Sequence, residues 1–467
     1  MLPTRPVHHS PHRFRLSGFS FLLPAAIFVC TLLFANGCLR NSMMTDPAKL
    51  DNALSSAMKK YANGGDLNYF KLPDSEDFKS IPQDPRNRLS REKVELGKLL
   101  FHETGLATAT RFESSRGTYS CASCHHVSAG FQAGITQGIA EGGSGFGNSG
   151  AGRKAIPGFP EDSIDVQMIR TPTAMHGAWQ ECQMWNGQFG ATGPNAETMA
   201  NWKRNDPTEK NFLGYQGLET QAIAAIDVHR MDIDTNLIFR TEYKEMFDAA
   251  FPNVPANKRY SKEMAGLAIA AYERTMIANR SPWQLYLRGE KGAMTNNQKR
   301  GALIFFREGE CASCHTGPAL NSMEFFALGM DDFEGFGILG PKPDLPTQQG
   351  RGGFTRMPED KYKFKVPQLY NLKYVTALGH GGSFHSVREV VNYKNAGKSE
   401  NRKVPETSLA EEFYPLDLDG YQVQALVDFL ENALQDKELE RYVPASLPSG
   451  NCFPNNDLQS RIDLGCK

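Results

Sequence analysis

The sequence predicts a mostly α-helical protein built as two related domains, with long loops and little sheet. Three observations carry that reading. The pentapeptide Cys-Ala-Ser-Cys-His occurs twice, at 121–125 and at 311–315. Each copy follows a stretch, 94–101 and 298–306, with apolar residues at helical spacing and aromatics at its end. Further helical patterns lie around 218–230, 237–250 and 262–279, and the amphipathic run 422–430 closes the second half.

The 467 residues suffice for two or three domains of ordinary size. A hydrophobic share of 40% supports a sizeable core, while 43 Gly and 27 Pro imply many loops. Net charge is −1, with no basic stripe and no lysine-rich tail, so nucleic acid is not an expected partner. Arg5, Arg13 and Arg15 precede an apolar run from Phe19 to Ala35, followed by Gly37 and Cys38, and residues 1–38 read as an export signal. Loss of those three arginines leaves a mildly acidic mature chain. The run is short and broken by Pro24, which disfavours a transmembrane anchor. Ala35-Asn36-Gly37-Cys38 is a poor lipoprotein box because leucine is missing at its first position. Lipid at Cys38 would tether the protein to a membrane surface, and an ordinary signal-peptidase cut is the alternative. The expected location is periplasmic or cell-surface.

The two pentapeptides say what the chain holds. Cys-x-x-Cys-His is the attachment signature of c-type haem. One helical turn between the thiols lets each sulfur reach one vinyl group of the porphyrin, and the adjacent His lies beneath the iron. Cys121, Cys124, Cys311 and Cys314 are therefore the expected attachment points of two covalently bound haems, with His125 and His315 as proximal ligands. A zinc knuckle or a redox disulfide would also use such pairs, but neither requires a His after each pair. The domains are thus expected to be cytochrome c-like. Cys452 and Cys466 bracket a short tail and suit a disulfide outside the cytoplasm, whereas Cys182 reads as a buried structural thiol.

The expected organisation is a linker and N-terminal segment with a short helix (39–88), a haem domain (89–285), a second haem domain (286–445) and a tail (446–467). Within the first domain, 129–160 is rich in Gly and Ser and reads as a long loop near the first haem.

From 89 to 435 the sequence resembles the bacterial di-haem cytochrome c peroxidase superfamily, which includes the enzyme that matures the tryptophan cofactor of methylamine dehydrogenase. The resemblance rests on residues 97–101, Arg170-Thr171-Pro172-Thr173, Trp185-Asn186-Gly187, Leu218 to Ile226 with Gln221, Val366 to Leu372, His380-Gly381-Gly382-Ser383-Phe384, and both haem motifs. It implies peroxide chemistry at the first haem, electron transfer through the second, and Trp185 as the bridge between them.

Four departures from the family pattern bear on chemistry. The loop 127–165 contains no His to cap the first haem, and His126 is too close to the proximal ligand to reach the other face. An open, five-coordinate first haem is expected. Met231 stands at the family's acid–base Glu and Ala225 at its Pro, which leaves Asp227, His229 and Asp232 as substitutes, with His229 best suited by its intrinsic pKa. Lys394, with Tyr393 beside it, occupies the position of the second haem's distal ligand, and the identity of that ligand controls haem potential. Arg170 replaces the Asn that holds calcium in the family, which argues against calcium and offers a guanidinium as the missing positive charge.

The leading expectation is an oxidoreductase acting on hydrogen peroxide, with electrons from a small cytochrome or cupredoxin. A second is peroxide-dependent modification of Trp or Tyr on a protein partner. An electron carrier or haem sensor without enzymatic activity is the reading from another class.

Overall fold

The computed structural model describes residues 46–466 apart from Phe336. The export signal and Cys38 lie outside the described residues. The chain divides into Met1–Leu50, of which only 46–50 are described and are helical from 47, and Asp51–Lys467, which contains every site discussed below.

Six helices position the sites: α1 (Arg91–His102), α2 (Gly217–Val228), α3 (Lys262–Thr275), α4 (Asn296–Phe305), α5 (Val387–Ala396) and α6 (Gly420–Asp428). The sheet content is two short antiparallel ribbons. Gly143–Ser144 (β1) pairs with Lys154–Ala155 (β2), and Phe325–Phe326 (β3) with Phe364–Lys365 (β4). The expectation of a mostly α fold with little sheet is met.

The helices begin where the sequence supplies caps. Ser90 Oγ accepts from Lys93 N at the start of α1. Thr295 and Gln298 form a capping box at the start of α4. The expected helix at 237–250 is two, Thr235–Arg240 and Tyr243–Ala250. Thr241 breaks it by adopting an extended backbone while its hydroxyl accepts from Tyr243 N.

The duplication suggested by the two motifs recurs in packing. A Cβ on Gly97 of α1 would lie 1.9 Å from the Ala268 carbonyl oxygen of α3. A Cβ on Gly301 of α4 would lie 2.0 Å from the Ala425 carbonyl oxygen of α6. In each half the helix before the motif crosses its partner backbone to backbone, at a glycine. Helix α3 also meets α2 closely, where a Cβ on Gly266 would come within 2.5 Å of Ile223.

The stretch 51–88, expected as a linker with a short helix, is packed against both halves. Phe70 stacks edge-on against Phe306, and Gln284 bonds the Phe70 carbonyl and the Leu72 amide. Phe306 also packs on the fully buried Trp283, which meets Phe429 edge-on.

The tail forms the expected Cys452–Cys466 disulfide and binds the first haem-motif region. Ser120 and Ser123 hydroxyls donate to the Pro454 carbonyl. Asp457 accepts from Ser144 Oγ and Gly145 N and pairs with Arg153, while Asp463 accepts from the Phe146 and Gly147 amides. The Gly-rich loop is thereby held by carboxylates from the other end of the chain.

The glycine crossings give a direct test. Gly97→Ala and Gly301→Ala should each lower stability by about 1–3 kcal/mol or more, because backbone rather than a flexible side chain blocks the added methyl. A shift of the urea midpoint to lower concentration measures this; an unchanged midpoint would show that the crossings yield.

Candidate active site

Each Cys-x-x-Cys segment forms a single tight turn, Cys121–Ser123 and Cys311–Ser313. The amides of His125 and His315 donate to the carbonyls of Cys121 and Cys311 at 3.0 and 2.9 Å, which folds each His back beside its cysteines. The ring nitrogen Nδ1 of His125 lies 3.1 Å from the Phe131 carbonyl, and that of His315 lies 3.1 Å from the Leu320 carbonyl. An Nδ1–H so used leaves Nε2 as the free lone pair, the tautomer a metal ligand needs. Burial outweighs these carbonyls and pushes both imidazoles down to about 4, so they stay neutral at physiological pH.

The two motifs line different cavities. A zinc site drawing on both cysteine pairs is therefore not formed, and the four motif thiols are unpaired. Each cavity has its two sulfurs and one imidazole on the same wall, among mostly apolar residues. Gly138 lets the backbone pass close to Cys124, where a Cβ would sit 2.8 Å from Sγ. Thiols, free imidazole nitrogen and apolar walls fit haem in both places.

Helix α2 presents Leu218, Gln221, Ala222, Ala225 and then His229 to the first cavity, one helical stripe. Of the three acid–base substitutes, only His229 is there. Asp227 is ion-paired with Lys210 and Lys262, and Asp232 lies 3.5 Å from Lys262, both away from the cavity. Met231, at the position of the family Glu, is buried in the cavity lining.

His229 Nδ1 lies 3.0 Å from Asp165 Oδ2, and Asp165 is itself buried on the same cavity wall. Burial pushes the imidazole down, but the carboxylate's charge and hydrogen bond outweigh it, and the net shift is upward. Asp165 closes the Gly-rich loop, and nothing local in the sequence marks it as a partner. Glu273 of α3 also lines this cavity. Its only sequence signal is a carboxylate on the otherwise apolar 262–279 pattern.

Trp185 lies where the cavities adjoin. It lines the second cavity, and its Nε1 donates to the Arg170 carbonyl at 2.8 Å. Arg170, Pro172 and Thr173 line both cavities. The Lys365 amide donates to the Trp185 carbonyl at 2.8 Å. The buried Arg170 guanidinium donates to the carbonyls of Ala133, Ile135 and Thr136 and to Gln132 Oε1, so a fixed cation occupies this junction.

Helix α5 presents Val387, Val390, Val391 and Lys394 to the second cavity, again one stripe. Lys394 Nζ donates to the Glu412 carbonyl, and burial lowers its pKa. Tyr393 points elsewhere. Its hydroxyl donates to the Leu328 carbonyl at 2.6 Å, and its ring packs between Phe384 and Phe413. The helix phase thus separates two neighbours that looked equivalent in sequence. Met330, which no motif singles out, also lines this cavity.

Residues 91–292 match the family model described as di-haem cytochrome c peroxidase. Among curated relatives, cytochrome-c peroxidase IdrP1 of Pseudomonas sp. (strain SCT) is 26% identical over 374 residues, covering 75% of this chain and 82% of that protein. The methylamine utilization protein MauG of Methylorubrum extorquens is 26% identical over 365 residues, covering 78% and 82%. The cytochrome c551 peroxidase of Pseudomonas aeruginosa is 26% identical over 324 residues, covering 67% and 76%. The crystal structure of a MauG-like protein associated with microbial copper homeostasis superposes with a TM-score of 0.55 at 24% identity, covering 79% of this chain and 95% of that one, and so shares the fold. With haem-ligating chemistry at both motifs and this match across the first cavity and its helices, the chain is similar over residues 91–292 to the di-haem cytochrome c peroxidase family and is a peroxidase-like oxidoreductase.

Proposed function

We propose that the protein carries two haems, bound covalently through Cys121/Cys124 and Cys311/Cys314 with His125 and His315 as proximal ligands, in domains spanning 89–285 and 286–445. It reduces hydrogen peroxide at the first and receives electrons through the second. The observation that carries this reading is the His229–Asp165 pair, 3.0 Å apart on the wall of the first cavity. The haems, when bound, supply the redox chemistry. The overall change takes one hydrogen peroxide, two electrons and two protons to two waters.

The chain's own residues handle the protons. Asp165 accepts the Nδ1–H of His229 and holds the ring so that Nε2 is the basic nitrogen. Nε2 takes a proton from the near peroxide oxygen and returns it to the departing one, the work that Met231 cannot do. Gln221, one turn before Ala225 on the same stripe, supplies an amide to orient the peroxide. Trp185, tied to Arg170 on one side and Lys365 on the other, relays electrons between the cavities. The donor is a small cytochrome or cupredoxin.

Lys394 favours a second reading. A neutral lysine ligand on the second haem would lower its potential and stabilise oxidising equivalents, which suits withdrawal of electrons from Trp or Tyr of a protein partner. The relative named MauG lends that reading its precedent. Both readings place the protein outside the cytoplasm, with a lipid tether at Cys38 as one form of attachment. Among the described residues no helix is long and apolar enough to cross a membrane.

Electron paramagnetic resonance of the oxidised holoprotein tests the first haem. A high-spin ferric signal that one equivalent of peroxide bleaches without prior reduction is expected. Two low-spin signals indifferent to peroxide would leave an electron carrier or sensor. The neutral form of His229 is the base, so the peroxide reaction should rise with pH through a midpoint above the usual histidine value. Asp165→Asn should move that limb to lower pH and slow the reaction at its plateau, measured by stopped-flow. Lys394→Met should raise the second haem's potential in a spectroelectrochemical titration; an unchanged potential would remove lysine as its ligand.

A further inference from the structure

Of the carboxylates in the α2–α3 region, one is paired and one is not. Glu219 and Arg274 are both fully buried and meet through two hydrogen bonds, at 2.6 and 2.8 Å, and Asn87 also bonds Glu219 Oε1. Arg274 donates further to the Pro82 carbonyl and to Gln216 Oε1. Its positive charge is thus committed on the side of the helix away from the first cavity. Glu273, its neighbour on α3, is buried on that cavity's wall together with Ile269, four residues earlier on the same face. Its Oε2 is enclosed and has no hydrogen-bond partner. A buried ionised carboxylate in that position would be strongly disfavoured, whereas a neutral carboxylic acid is tolerated.

The ionisable groups facing Glu273 reinforce this. Glu219 from α2 repels a second negative charge, and Arg274 offsets it only in part. Cys121, within electrostatic reach, is neutral and becomes a thioether once haem is attached. Tyr272 is neutral, with its hydroxyl donating to the Tyr442 carbonyl. His229 shares the cavity and is held by Asp165. Burial, with Glu219 second, pushes Glu273 up to about 8, so it holds a proton at neutral pH.

We propose that Glu273 is the proton store of the first haem cavity, delivering one of the two protons that each peroxide reduction consumes. The inference rests on the peroxide reading above. His229 moves the proton that peroxide itself brings, from one oxygen to the other, and this adds none. Two further protons must enter for two waters to leave. Once the first water has left with both peroxide protons, Glu273 gives up the proton on its carboxyl as the two electrons reduce the remaining oxygen, the proton ends on the second water, and the carboxylate is reprotonated from solvent before the next turnover. The carboxyl group thus adds a proton source to the shuttle that His229 provides, from a different helix.

Glu273→Gln in the holoprotein keeps the shape and removes the ionisable proton, and Glu273→Asp keeps the proton. With an electron donor supplied, the wild type should turn over peroxide along a bell-shaped pH profile, with His229 on the acid limb and Glu273 on an alkaline limb near pH 8. Glu273→Gln should slow peroxide turnover with an electron donor about tenfold or more and abolish the alkaline limb. Glu273→Asp should retain a limb at reduced rate. The ferric high-spin spectrum of the resting protein, titrated without peroxide, should show the same midpoint in the wild type and not in Glu273→Gln. An unaltered rate and profile in Glu273→Gln, or equal loss of haem in both variants with the alkaline limb unmoved, would overturn the assignment to proton supply. A wild type inert to peroxide would instead sink the peroxide reading, and this proposal with it.

Discussion

The crossing of α1 on α3 at Gly97, repeated by α4 on α6 at Gly301, is the constraint on which both cavities depend. Haem-sized cavities need walls from several helices, and helices that stand a full side chain apart cannot wrap one closely. With no side chain at the crossing point, the backbones touch, and the long apolar residues beside each glycine turn to the cavity and the core. The same device serves each half, so the duplication is one of packing geometry as well as motif.

Buried charge follows a division set by where it lies. Away from the first cavity, Glu219 and Arg274 are paired with one another. Facing it, Asp165 is spent on His229, and Glu273 has no partner. At the junction, Arg170 and Lys365 are buried cations that bond carbonyls and amides rather than carboxylates. Burial pushes Lys365 down to about 8. Such groups are costly in an apolar interior unless their charge answers something.

The tail gives the first cavity a support that the second lacks. Asp457 and Asp463 accept from the amides of Gly145, Phe146 and Gly147 in the glycine-rich loop. His126, adjacent to the proximal ligand, contributes from the inside. Its Nε2 accepts from Gly134 N, and its ring packs edge-on against Phe146. The disulfide fixes the ends of the tail segment that makes these contacts. A loop rich in glycine can pass close to Cys124, and charge and hydrogen bonding add to the packing of its buried Phe131, Ile139 and Phe146 in holding it.

Features that span a few residues were legible in the sequence. The Cys-x-x-Cys-His turn and the helices before each motif are fixed by neighbours within one or two helical turns, where spacing is geometry. The helix phase that sends Lys394 into the cavity and Tyr393 to the Leu328 carbonyl is of this kind, but only packing decided which face of α5 meets the cavity. The break at Thr241 and the packed segment 51–88 were not legible, because both are settled by partners outside the local pattern. The same holds for the acid–base groups. His229 meets Asp165 across 64 residues of chain, and Glu273 reaches the cavity from a helix whose sequence looks like plain core. Periodicity reports which side of a helix is buried, not what stands opposite it. The tertiary fold alone chose those partners, because side chains distant in sequence meet only where the helices that carry them are brought together.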